Sequence, residues 1–113
     1  MNKDNKDPLA YLRLMLDSFR KVIDFTHRIL YEDFLKDEMT QSVVIMQMEV
    51  IGQLVKKVDP EIKKEIDIPW KEMSGMRDIV AHEYFALDLP IVWDTAIKDV
   101  PTAQKKIKEY LAK

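Results

Sequence analysis

The chain of 113 residues contains no cysteine. That excludes a disulfide framework, a thiolate metal site and a cysteine nucleophile, and it fits a reducing cytoplasm. Glycine is almost as scarce, with only Gly52 and Gly75. So few glycines argue against the many tight hairpins of an all-β fold. No apolar run is long enough to cross a bilayer. The first residues, Met1 to Asp7, are polar and lack a signal-peptide core, so 1–7 is expected to be a flexible arm. A strong excess of either charge sign is also missing: the net charge is −2. This counts against a broad duplex-binding surface but leaves room for a small cationic cleft. The lysine pairs Lys56-Lys57, Lys63-Lys64 and Lys105-Lys106 are flanked by acids and read as solvated surface.

What is present is helical spacing, in a length that suits one domain, residues 8–113. Asp7-Pro8 opens a first helix whose apolar positions are Leu12, Met15, Leu16, Phe19, Val22, Ile23, Thr26 and Ile29. A short segment around Glu32 to Lys36 leads to Asp37, a cap for a second long helix from Glu38 to Val58. There Val44, Met48, Ile51, Val55 and Val58 form one stripe, widened by Val43, Val50, Leu54, Ile45 and Gly52. A helix so broadly apolar is central in its bundle or also faces another subunit, and Gln47 inside the stripe needs a hydrogen-bond partner. Asp59-Pro60 breaks the chain and opens a short helix to Glu65. Pro69-Trp70 opens a helix running through Met73, Met76, Ile79 and Val80 to His82 or Glu83. Asp88 with Pro90 marks another start, Asp99 and Pro101 interrupt it, and Ala103, Ile107, Tyr110 and Leu111 form the last amphipathic stretch. The pattern predicts an all-α, antiparallel up-and-down bundle of four main helices, the last one broken.

Chemistry concentrates in Arg77-Asp78-Ile79-Val80-Ala81-His82-Glu83-Tyr84. Arg77 and His82 lie about 140° apart on an ideal helix and can flank one groove. Asp78 and His82 share a face, so the carboxylate can orient the imidazole and favour its protonated form. RNA supplies its own nucleophile, the ribose 2′-hydroxyl. Cleavage then needs proton transfer, which histidine suits, and positive charge on the phosphorane-like transition state, which arginine suits. No metal or other cofactor is required. One histidine cannot easily be both acid and base, which a symmetric dimer would solve. An Arg…His pair also serves as a capping or surface feature, because a histidine near a helix C-terminus is favoured by the dipole. The other histidine, His27 beside Arg28, reads as a helix-terminal residue.

The stretch Ile68-Pro69-Trp70 through Arg77, His82, Tyr84 and Phe85 resembles the HepT-like branch of the HEPN superfamily. The resemblance continues through Val92-Trp93 and Asp99-Val100-Pro101, and upstream through Asp37 to Gln41 and Glu49-Val50-Ile51-Gly52-Gln53. It implies a HEPN-like helical fold that dimerises with two Arg-x4-His motifs lining a shared cleft. It implies a cytoplasmic toxin of a type VII-like toxin–antitoxin system, a metal-independent RNase. Arg77 and His82 would be its catalytic residues, with Asp78 orienting the imidazole. The implied partner is a minimal nucleotidyltransferase antitoxin that transfers AMP onto Tyr84, placing phosphate beside Arg77 and blocking the cleft. The alternative is a non-catalytic nucleotide- or substrate-binding subunit of a nucleotidyltransferase. A third reading is a purely structural dimerising bundle. Many relatives carry Arg and Glu where this chain has Met46 and Gln53, so one charge pair is lost together.

Overall fold

The computed structural model describes residues 7–76 and 88–113. Residues 1–6 of the expected arm 1–7, the expected helix beyond Met76 and all four motif residues lie outside them. The described residues form α1 (Ala10–Thr26), α2 (Tyr31–Phe34), α3 (Glu38–Lys57), α4 (Pro60–Lys63), α5 (Trp70–Ser74), α6 (Leu89–Asp94), a π-helical turn (Thr95–Asp99) and α7 (Val100–Leu111). No strand occurs among the described residues, and the fold is an all-α bundle of the HEPN-like kind.

Aspartates cap α3, α4 and α6, as their positions predict, whereas α1 begins at Ala10 with Leu9 as its N-cap and no side-chain cap, later than the expected start at Asp7-Pro8. In the turn that precedes α1 the Asp7 carboxylate accepts from the Leu9 amide at 3.0 Å and the Asp7 carbonyl from the Ala10 amide at 3.1 Å. Asp37 accepts from the backbone and the hydroxyl of Thr40, at 3.0 and 2.6 Å. Asp59 accepts from the Glu61 amide at 2.9 Å, and Asp88 from the Ile91 amide at 3.2 Å. Each carboxylate satisfies amides that the first helical turn leaves without a carbonyl partner.

The core follows the predicted stripes. Leu12, Met15, Phe19 and Val22 of α1 meet Val44, Met48, Ile51 and Val55 of α3, and Val92, Ala96, Val100, Ala103 and Ile107 close over them. α1 packs mainly on α3 and next on α7. Gln47 is half-buried at the rim of this core. Its side chain makes no hydrogen bond to another described residue, so the expected partner is not found among them.

The interruption expected at Asp99 and Pro101 takes the form of a wider turn rather than a break. The Val100 amide donates to the Thr95 carbonyl, five residues back, and Asp99 and Val100 both keep helical dihedrals. A proline inside a regular helix clashes with the carbonyl four residues earlier and leaves it without a donor. Widening by one residue accommodates Pro101, so α6, the π turn and α7 make one continuous rod. Its far end is tied down. Lys106 donates to the Asp67 carbonyl at 2.8 Å, and Tyr110 donates to the Glu65 carboxylate at 2.7 Å. That carboxylate holds the Tyr110 phenol above its ordinary pKa.

Candidate functional site

Arg77, Asp78, His82 and Tyr84 fall in residues 77–87, outside the described residues, so their geometry is not stated. The described residues set the two ends of that segment. On the lead-in side, the Trp70 indole N–H is shared between the carbonyls of Lys63 at 3.1 Å and Ile66 at 2.9 Å. This locks the ring across the α4–α5 connection. Met73 and Met76 are then buried, at 1% and 3% exposure. The chain therefore reaches Arg77 directly from a residue set in the core. On the exit side, the Asp88 cap and Pro90 fix the first turn of α6. Val92 is fully buried. Trp93 packs in tilted geometry on Phe34 at 5.0 Å and Tyr31 at 6.0 Å between ring centroids. Such pairs add to burial and fix orientation.

Beside the lead-in lies a cleft of about 270 Å³, lined by Pro69, Glu72, Met73, Gly75, Met76, Thr95 and Asp99. It brings two carboxylates and a threonine from the π turn alongside the residues that precede Arg77. No local spacing assigns a role to Glu72 or Thr95. They meet only because α5 and the rod fold together. The cleft is lined by carboxylates rather than cations, so among the described residues it has no positive charge of its own for a phosphate. No group of three or more His, Cys, Asp or Glu that could hold a metal ion occurs among the described residues.

His27 sits at the C-terminal end of α1. Its Nδ1 donates to the Ile23 carbonyl at 3.0 Å, and the Arg28 Nε donates to its Nε2 at 3.3 Å. Both ring nitrogens are thus engaged locally, and the side chain closes the helix end. The lysine pairs are largely solvated. Lys64 pairs with Glu61 at 3.3 Å, while Lys57 and Lys63 lie over the Tyr11 and Trp70 rings, each at 5.9 Å.

The ribonuclease HepT-like family model matches residues 15–110, from the middle of α1 to the end of the rod. The chain belongs to the HepT-like family. The match takes in the whole of 77–87 together with both its flanks. A Methanocaldococcus jannaschii relative named "Putative RNase MJ0127" is 40% identical over 107 residues, covering 94% of this chain and 88% of the relative. A Caldanaerobacter subterraneus relative named "Putative RNase TTE0752" is 38% identical over 109 residues, covering 96% and 97%. "Probable ribonuclease HepT" of Thermococcus cleftensis is 36% identical over 110 residues, again covering 96% and 97%. No solved structure matches significantly. Within the HepT-like frame, the Trp70 clamp and the Trp93 stack are the two fixed points between which the motif is strung.

Proposed function

We propose that this HepT-like chain is a metal-independent endoribonuclease that works as a homodimer. The observation that carries this reading is the family match across residues 15–110, which contains Arg77 and His82 together with both their flanks. The names of the relatives agree with it. In the reaction the ribose 2′-oxygen attacks phosphorus and the bond to the 5′-oxygen breaks. The products end in a 2′,3′-cyclic phosphate and a 5′-hydroxyl. The Arg77 fork holds two phosphate oxygens as charge develops on them. His82 transfers protons, and Asp78 orients its ring. A second copy brings the second imidazole, so that one takes the proton from the 2′-hydroxyl and the other gives one to the 5′-oxygen.

The same reading makes the chain the toxin of a type VII-like toxin–antitoxin pair. Its partner, a minimal nucleotidyltransferase, transfers AMP from ATP to the Tyr84 hydroxyl with release of pyrophosphate. The added phosphate occupies the donors of Arg77 and excludes RNA.

Purified protein is incubated with RNA in excess chelator. The wild type should cleave, and His82→Ala and Arg77→Ala should each lose about 10²–10⁴-fold in rate. Equal cleavage by the wild type and both variants would sink the assignment. Incubation with the nucleotidyltransferase and ATP should add one AMP to Tyr84 and silence the wild type, while Tyr84→Phe stays active.

A further inference from the structure

The cleft of about 270 Å³ beside α5 has an apolar backing and polar groups around it. Pro69, Met73 and Met76 supply the backing, and both methionines are buried. Glu72 comes from α5, while Thr95 and Asp99 begin and end the π turn. Glu72 and Asp99 are exposed, and Thr95 is half-buried. None of these three side chains bonds to or pairs with another described residue. The other threonines of the chain all use their hydroxyls on the protein. Thr26 and Thr102 donate to the carbonyl four residues back, at 2.8 and 3.0 Å, and Thr40 donates to Asp37 at 2.6 Å. Thr95 makes no such bond to the Ile91 carbonyl. The π turn that carries it is a kind of distortion often found at functional sites. The volume is just under the roughly 300–1,000 Å³ of pockets for drug-sized ligands, so the cleft takes one flat ring rather than a peptide.

We propose that this cleft is a base pocket that selects guanine in the nucleotide beside the scissile bond, with Glu72 and Asp99 as specificity-determining residues. The proposal rests on the ribonuclease reading above and names the base it selects. Chain connectivity sets the location, because Met76 lines the cleft and Arg77 is the next residue. Chemistry decides the occupant. Two carboxylates repel phosphate, so the RNA backbone does not enter. A hydrated cation would have to shed water against the apolar backing. A nucleobase instead offers a flat face to the methionines and polar groups along its edge. Among the RNA bases only guanine carries two adjacent donors, N1–H and N2–H2, on one edge. One carboxylate accepts both at once, as it accepts the fork of an arginine. Adenine and cytosine set a ring nitrogen acceptor beside their amino group, and uracil flanks its N3–H with two carbonyl oxygens. Those lone pairs face a carboxylate unfavourably. The Thr95 hydroxyl is left to donate to guanine O6.

Binding is measured apart from cleavage, by fluorescence anisotropy of labelled deoxyuridine hexamers that lack the attacking 2′-hydroxyl. The full chain should bind a hexamer with one central dG about tenfold more tightly than one with dA, dC or dU there. Deoxyinosine in place of dG lacks only the 2-amino group and should lose most of that preference. Glu72→Gln/Asp99→Asn should bind all four hexamers within about twofold of one another. Its urea midpoint should stay unchanged, since both carboxylates are exposed. Equal binding of the four hexamers by the wild type would overturn the proposal, whatever the variant does. So would a double variant that keeps the preference, or whose affinity for all four shifts equally, because the carboxylates would then serve a cation of the protein itself. Mapping the ends of cleaved RNA separates this proposal from the reading beneath it. Cuts with no guanine at a fixed step from them would sink the pocket and leave the ribonuclease standing. A dG preference without cleavage of any RNA would sink the ribonuclease and leave a guanine site.

Discussion

α1 and α3 are the two long helices of the bundle and pack against each other, yet they treat their outer faces differently. The outer face of α1 is settled by charge. Arg20 reaches Asp17 at 2.8 Å and Asp24 at 3.2 Å, and Lys21 reaches Asp17 at 3.3 Å. These contacts hold the Asp17 carboxyl below the usual carboxylate range, with Arg20 the larger cause. The outer face of α3 carries methionine and valine instead. Both inner faces are equally dry, so burial alone does not separate the helices. What separates them is whether the second face carries ion pairs or apolar side chains. Exposed ion pairs add little stability, but they make a face soluble. An uninterrupted apolar line does the opposite.

Inner and outer positions of one helix give the widest break in this comparison. Phe19→Ala in α1 and Met48→Ala in α3 should cost about 3–5 and 2–5 kcal/mol of folding stability, by lost burial and the cavity left behind. Met46→Ala, two residues from Met48 but exposed, should change folding stability by no more than about 0.5 kcal/mol. Urea unfolding measures all three. Comparable losses for Met46→Ala and Met48→Ala would erase the distinction between the two faces of α3.

The caps give a smaller effect with a sign that pH controls. The hydroxyl and amide of Thr40 hold the Asp37 carboxyl below its ordinary pKa. A depressed folded-state pKa means the stabilisation is fully present above the unfolded value, near 3.9, and is lost as pH falls through the lower folded value. The urea midpoint of Asp37→Ala should therefore fall below that of the wild type at pH 7, and the gap should close as the solution is taken well below pH 4. A gap that widens in acid would contradict the capping role. The smallest effect belongs to Arg20→Ala, whose exposed pairs should leave the midpoint almost unchanged.

Local chemistry made much of the bundle legible in advance. Asp37, Asp59 and Asp88 each sit where a helix begins, because a short carboxylate can satisfy first-turn amides whatever the rest of the fold does. The buried stripes were equally readable from spacing. Pro101 was harder. A proline after an aspartate reads as a break, and only the packing of Val92, Ala96, Val100 and Ala103 on one core shows why the helix widens there and continues. The cleft that joins Glu72 to Thr95 and Asp99 was not readable at all, because residues far apart in the chain are brought together by tertiary packing. For the motif itself the sequence and the family match carry the assignment, and the fold contributes its two anchors. The second face of α3 was half-visible. Its breadth suggested another subunit; spacing already put Met48 in the buried stripe and left Met46 out, and exposure shows how open Met46 is.

The rod that begins at Leu89 has a mechanical consequence. Its upper end receives the chain as it leaves the motif, and its lower end holds Glu65 and Asp67. Those two residues lead straight into the Trp70 clamp and so into α5, which carries the chain back to Arg77. Pro101 follows the widened turn and leaves the rod continuous. The two described flanks of residues 77–87 are therefore tied to each other a second time, through the base of the bundle, by the rod, its contacts to Glu65 and Asp67, and the Trp70 clamp.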